Sequence, residues 1–423
     1  MEQVLIKLPY GSKELEISIP ENNLMGVYSP KAVSSVTDIK EEAKRALANP
    51  IGAQSLHDLV KGKEKVVILA DDITRLTPTE QIIPVMLDEM NRAGIKDEQV
   101  TIIIALGTHR DMTSEEILLK FGQEVVDRVK ILNHDFINPE ALVDLGETPN
   151  GTPISINKLA YDADFKIGIG SIVPHHIPGF AGGAKIVQPG ISGLDTTGST
   201  HLLSVQEKRS YLGVVDNPVR RELNQIARQI GMDVIFNTVL DPCGNVIRAF
   251  YGDLEKAFLK GVELSTEVYA VKLPREADIV LASSHPCDLE FWQAHKTLYA
   301  ADRAIKENGI IIVVSPCSEG VSKVHGEIIE ITSKTSEEVR EMIKNNHFEN
   351  LTAAALAIAW AQVKEREKVF IVSGGITTEE GYKLGFTPFE TVEEALEKAF
   401  QEKGKDAEIV VLTHAPDTLP VIC

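Results

Sequence analysis

The residues with the most chemistry to offer stand at the ends of short apolar runs. The run 66–70 is followed by Asp71-Asp72-Ile73-Thr74-Arg75-Leu76-Thr77-Pro78, two carboxylates and then a guanidinium. A helix starting at Pro78 would turn its free N–H groups toward an anion beside Arg75. The plainer alternative is that Thr77 caps that helix and Arg75 lies on the surface. The run 99–106 is followed by Gly107-Thr108-His109-Arg110-Asp111. Histidine titrates near neutrality, so His109 is placed as an acid or base unless it is merely structural. After 165–169 comes a long segment, residues 170–190, holding His175, His176 and Lys185. Six glycines fall between residues 179 and 198, where 30 in 423 predict one or two. Such density lets backbone approach a ligand closely, as phosphate-cradling loops do. The spacing matches neither G-x-x-x-x-G-K-[ST] nor a placed G-x-G-x-x-G. His201, just past Gly198-Ser199-Thr200, reads by itself as a histidine at a helix start. A fourth segment, after 279–282, runs from Ser283 to Lys296. Its Gln293 and Lys296 share one face of a helix, suited to a carboxylate or phosphate. The alternative is an amphipathic surface helix with Trp292 turned to the core.

These segments need a frame that puts strand ends together. Residues 4–8 and 15–19 alternate around Tyr10-Gly11-Ser12 and read as a hairpin. Apolar strands at 65–70, 99–106 and 165–169 then alternate with helices. One helix spans 78–93 and is closed by Gly94; another opens at the capping box Thr113-Ser114-Glu115-Glu116; a third spans 218–230, with Pro218 in its first turn and Gly231 at its end. After 271–277 the alternation restarts, with strands at 279–282, 310–314, 369–372 and 409–412. The pattern predicts an α/β protein of two Rossmann-like domains, residues 1–270 and 271–423, with a cleft between them as the default place for a site. In such sheets ligands gather where loops leave the carboxyl ends of strands, which is where all four segments lie.

The chain has 423 residues, 43 Lys+Arg and 62 Asp+Glu, a formal charge of −19. That length suggests two or three domains at about 150 residues each. The acidic balance argues against a nucleic-acid or anionic-membrane protein, though a local basic cluster can still hold a small anion. Cys243, Cys287, Cys317 and Cys423 form no C-x-x-C pair, which fits a reducing compartment and no cysteine zinc site. The start of the chain has no apolar signal core, and the longest apolar stretch, residues 353–361, is far short of the roughly 20 that span a bilayer. These features read as cytoplasmic.

At the His109 loop, the His-His-x-x-Gly-Phe-x-Gly-Gly-x-Lys stretch from His175 to Lys185, His201 and the Gln293-x-x-Lys296 pair, the sequence resembles the nickel-dependent lactate racemase family. The match runs over nearly the whole chain, with Asp72, Arg75 and Trp360 as weaker supports. The resemblance implies a nickel-pincer nucleotide: a pyridinium mononucleotide whose thioamide and thiocarboxylate hold nickel through two sulfurs and a ring carbon. It implies Lys185 as the thioamide tether, His201 as the protein's nickel ligand, and His109 and His175 as the acid/base pair. It also implies that Asp72, Arg75 and Lys296 contact the cofactor and that Arg75, Gln293 and Lys296 hold the substrate carboxylate. Separate maturation proteins would supply the cofactor. The expected reaction is interconversion of the lactate enantiomers by reversible hydride transfer, with pyruvate as intermediate. Direct deprotonation would require a carbanion beside a carboxylate, whereas hydride removal with a base on the hydroxyl avoids it.

Three other readings stand beside this one. His175, His176 and His201 could bind zinc in a hydrolase, although no H-x-x-x-H is present and adjacent histidines point oppositely on a strand. The protein could bind nucleotide and nickel without turnover, which would leave His109 and His175 without a joint role. It could also racemise or epimerise a different 2-hydroxy acid.

Overall fold

The structure, a computed structural model, describes residues 2–323, 326–348 and 351–423. It divides into two compact units. One comprises Ala32–Leu203 and Val214–Val268; the other joins the N-terminal residues through Lys31 with Ser204–Gly213 and Tyr269–Cys423. A single boundary at 270–271 therefore captures only part of the division.

The start of the chain goes with the C-terminal unit for a packing reason. Strands Gln3–Tyr10 and Lys13–Pro20 form the expected antiparallel hairpin, with Ile6 opposite Ile17. Alternation puts Ile6, Leu8, Ile17 and Ile19 on one face, and that face is buried against Ile279, Leu281, Ile310 and Ile312. Each such side chain removed from water contributes about 1.5–3 kcal/mol. The next strand, Leu24–Tyr28, then pairs with Ile409–Leu412 as the edge of the same sheet.

That second sheet is six-stranded and parallel. Its order is Thr387–Phe389, Lys368–Val372, Ile305–Val314, Ala277–Ser283, Ile409–Leu412 and Leu24–Tyr28. The sheet of the other unit has the order Val246–Gly252, Val234–Leu240, Phe165–Ser171, Val66–Ala70, Val100–Ile104 and Lys130–Asn133. It is parallel except at the edge, where Val234–Leu240 and Val246–Gly252 make an antiparallel hairpin that strand–helix alternation does not announce. Apolar residues on both faces bury these strands; Val66–Ala70 is buried throughout.

Local signals place the helices. Thr113 and Glu116 form the capping box of Ser114–Arg128, Asn217 caps Pro218–Gln229, and Gly94 and Gly231 follow their helices at φ +94 and +70. Helix Thr79–Arg92 starts after Pro78 without a side-chain cap. Thr77 does not cap it, because its hydroxyl donates to the buried Asp71 carboxylate at 2.5 Å instead. No described helix is long and apolar enough to cross a membrane.

Chain order explains where a site can form in the first sheet. From Val66–Ala70 the chain steps outward to Val100–Ile104 and Lys130–Asn133, then returns to place Phe165–Ser171 on the other side of Val66–Ala70. The loops leaving Val66–Ala70 and Phe165–Ser171 therefore diverge, and a crevice opens at their carboxyl ends. The Asp71–Asp72 and His175–Lys185 segments are those two loops.

Candidate active site

Asp72 is buried two residues beyond the end of strand Val66–Ala70, and its Oδ2 lies 2.7 Å from His109 Nδ1. The carboxylate can only accept, so Nδ1–H donates and the neutral imidazole keeps its lone pair on Nε2. Thr74 N–H donates to Asp72 Oδ1 at 3.0 Å, and the Thr74 hydroxyl donates to it as well. Burial opposes ionisation of Asp72, but His109, the Arg75 charge and Thr74 outweigh it and hold the carboxyl well below the usual aspartate range. Arg75 thus acts on this pair electrostatically. The loop that carries it is tied down by a residue the motifs did not flag. Lys120, 5% exposed, donates to the Arg75 carbonyl at 2.7 Å and the Thr77 carbonyl at 3.0 Å and pairs with Asp71 at 3.0 Å.

The His109 loop is seated on the glycine-rich segment. Gly107 N–H donates to the Gly190 carbonyl at 2.9 Å. A Cβ on Gly190 would lie 2.0 Å from the Ile186 carbonyl oxygen, so glycine is required for this approach.

His175 lies in a two-residue ladder, Pro174–His175 against Gly179–Phe180, with His175 opposite Gly179. Its Nδ1 accepts from the Ile177 N–H at 3.2 Å. His176 lies past the ladder, and its ring stacks on that of His175 with centroids 4.7 Å apart and planes 12° apart. The expectation that neighbouring histidines point oppositely fails here because the extended backbone ends at His175.

Lys185 sits in the single turn Gly183–Ile186, entered through Gly182 at φ +82. Asn237, buried on Val234–Leu240, accepts from the Gly183 N–H at 2.8 Å and fixes that entry. His201 falls late in helix Leu194–Ser204 rather than at its start. Its Nδ1–H donates to the Thr197 carbonyl one turn earlier at 2.8 Å, which leaves Nε2 with a lone pair. Burial, with the nearby Lys185 charge adding to it, pushes the His201 pKa down to about 4, so the ring is neutral at neutral pH. A neutral imidazole whose other nitrogen is fixed by a carbonyl is the donor a metal requires. The three-histidine zinc site is not assembled: among the described residues no three His, Cys, Asp or Glu side chains gather to hold a metal ion.

Gln293 and Lys296 belong to the other unit. They do meet, Lys296 Nζ donating to Gln293 Oε1 at 2.7 Å. Gln293 lies in the short helix Phe291–Ala294 and Lys296 opens the next, Lys296–Asp302, with His295 between them. Trp292 is 7% exposed, and Trp360 is fully buried with Phe291 and His295 against it at 5.1 and 5.3 Å. Both tryptophans are core side chains.

The architecture and this grouping define a two-unit, doubly wound α/β protein with a histidine- and lysine-bearing site at the switch point of its first sheet. A family model described as the lactate racemase N-terminal domain matches residues 10–213, and one described as the lactate racemase C-terminal domain matches residues 273–423. The chain is 33% identical over 427 residues to the lactate racemase of Thermoanaerobacterium thermosaccharolyticum, spanning 99% of this chain and 98% of that one. It is 29% identical over 430 residues to the lactate racemase of Lactiplantibacillus plantarum, spanning 99% of each. The solved lactate racemase apoprotein from T. thermosaccharolyticum superposes with a TM-score of 0.91 at 30% identity, over 99% of this chain and all of that one. A Thermotoga maritima structure, 24% identical with a TM-score of 0.70 over 91% of this chain and 98% of its own, shares the fold. The chain belongs to the lactate racemase family.

Proposed function

We propose that the protein interconverts the enantiomers of lactate in the cytoplasm, with pyruvate as the intermediate and a nickel-pincer nucleotide tethered to Lys185. The observation that carries this reading is the Asp72–His109 pair at the switch point, a base with its proton-accepting nitrogen left open. The residues present suit the cofactor. Lys185 lies in a turn reached through Gly182 and Gly183, and the Nε2 of His201 retains its lone pair. When bound, the nucleotide would supply an electron-poor ring carbon that takes up the α-hydrogen as hydride and returns it.

The protein's own groups handle the proton and the carboxylate. His109 Nε2 accepts the hydroxyl proton of one enantiomer while Asp72 stabilises the resulting imidazolium. His175 serves the other enantiomer; its lone pair, on Nδ1, accepts from the Ile177 N–H, so it takes up the hydroxyl proton once this bond is released. Arg75 is assigned to the substrate carboxylate and, with Asp72, to the cofactor; Gln293 and Lys296, bonded to each other, are a carboxylate- or phosphate-binding pair of the other unit. Small Ala and Gly residues crowd the segment around His175 and favour a short side chain, hence lactate over bulky 2-hydroxy acids.

Peptide mass analysis tests the tether in protein made with and without the cofactor-maturation proteins. Matured protein should carry added mass on the peptide containing Lys185, and Lys185→Ala should carry none. Fully active protein with an unmodified Lys185 would end the reading.

A further inference from the structure

We propose that Arg220, a residue outside every motif, is the positioning residue for the segment that carries His175 and Lys185. Arg220 is 3% exposed and lies in the first turn of helix Pro218–Gln229, its N–H bonded to Asn217 Oδ1 at 2.8 Å. Its guanidinium donates to three carbonyls of one short stretch: Pro178 from Nε at 3.3 Å, Gly182 from Nη1 at 3.1 Å, and Phe180 from Nη2. The three carbonyls belong to alternate residues of this stretch, and a single planar fork reaches all of them. The guanidinium carbon also lies over the Phe258 ring, 4.2 Å from its centroid. Burial lowers the Arg220 pKa to about 9, which still leaves the group charged at neutral pH.

The gripped stretch is coupled in both directions to the site. Gly179 sits directly opposite His175 in the two-residue ladder, and Phe180 sits opposite Pro174. Gly182 leads through Gly183 into the turn that presents Lys185. The stretch cannot easily settle elsewhere. Gly179 has φ +81, and a Cβ there would lie 2.0 Å from the Val214 carbonyl oxygen. One buried cation thus sets the backbone beneath both the second base and the tether. Lysine, a point charge with no fork, cannot serve the three carbonyls together.

This inference rests on the roles proposed above for His175 and Lys185, so its test begins with protein lacking cofactor. Hydrogen exchange at the amides of residues 179–183 should rise severalfold in Arg220→Met, less in Arg220→Lys, and stay unchanged in strand Val100–Ile104. After maturation, Arg220→Met should carry less mass on the Lys185 peptide, and kcat should fall on the order of a hundredfold with KM changing little, since a displaced base costs rate rather than binding. Millimolar guanidinium should restore part of the activity of Arg220→Ala by refilling the cavity. Unchanged exchange at residues 179–183, or a uniform rise across the unit that marks simple destabilisation, would overturn the proposal. So would wild-type loading and kcat in Arg220→Met. If wild-type protein carries no mass on Lys185 while the exchange pattern holds, the tether reading fails and the positioning role stands.

Discussion

Asp72 Oδ2 and His109 Nδ1 lie 2.7 Å apart, with the carboxylate buried and the imidazole 30% exposed. The buried partner fixes the tautomer, and the open partner meets substrate. Asp72→Asn should lower kcat by about 10²–10⁴, the range for losing a general base. The variant should also lose stability at neutral pH by about 1–3 kcal/mol, as for an orphaned buried hydrogen-bond partner. The Asp72 carboxyl is held below its ordinary value, so folding favours its ionised form. That stabilisation is complete above about pH 4 and is lost as pH falls further through the lowered value. Denaturation of both proteins across that range should show the gap narrowing on the acid side; a gap that widens there contradicts the pairing.

Nickel content separates His201 from its neighbours. His201 has its ring fixed by the Nδ1–H bond to the Thr197 carbonyl, whereas His176 is stacked on His175. Matured His201→Ala should lose most of its nickel by metal analysis, and His176→Ala should lose far less. Equal losses would point to a multi-histidine site.

Isotopes distinguish hydride transfer from proton abstraction. Matured protein given 2-²H-lactate in ordinary water should form the opposite enantiomer with its C2 label retained. Rapid washout of the label would mean proton abstraction, and turnover of a larger hydroxy acid without lactate would overturn the substrate alone. Removing either His109 or His175 should nearly abolish racemisation, a loss of about 10²–10⁴.

Two glycines give a contrast in packing. Gly190→Ala must displace the Ile186 carbonyl beside the Lys185 turn, so it should abolish activity and sharply lower the melting temperature. Gly231→Ala meets nothing within 4 Å and strains only a positive φ. It should cost about 1 kcal/mol and leave turnover intact. Similar activities in the two variants would show that the close approach at Gly190 is not needed.

Much of the fold was legible because the signals are local. Alternation in the first twenty residues marks a hairpin, the Thr113–Glu116 spacing marks a helix start, and a fully apolar Val66–Ala70 marks a strand buried on both faces. The resemblance carried by His109, His175, Lys185 and His201 likewise depends on residue types at fixed spacing.

What the sequence by itself determined is therefore the set of elements and the loops that hold the reactive side chains. Only the tertiary structure decided which sheet the N-terminal hairpin covers, since an apolar face specifies burial but not its partner. The same holds for Lys120, Asn237 and Arg220, which read along the chain as ordinary polar residues. Each is bonded to backbone far away in sequence: Lys120 to Arg75 and Thr77, Asn237 to Gly183, and Arg220 to Pro178, Phe180 and Gly182. A buried polar group must find a partner, and which carbonyl or N–H that is depends on the packed backbone rather than on any local pattern.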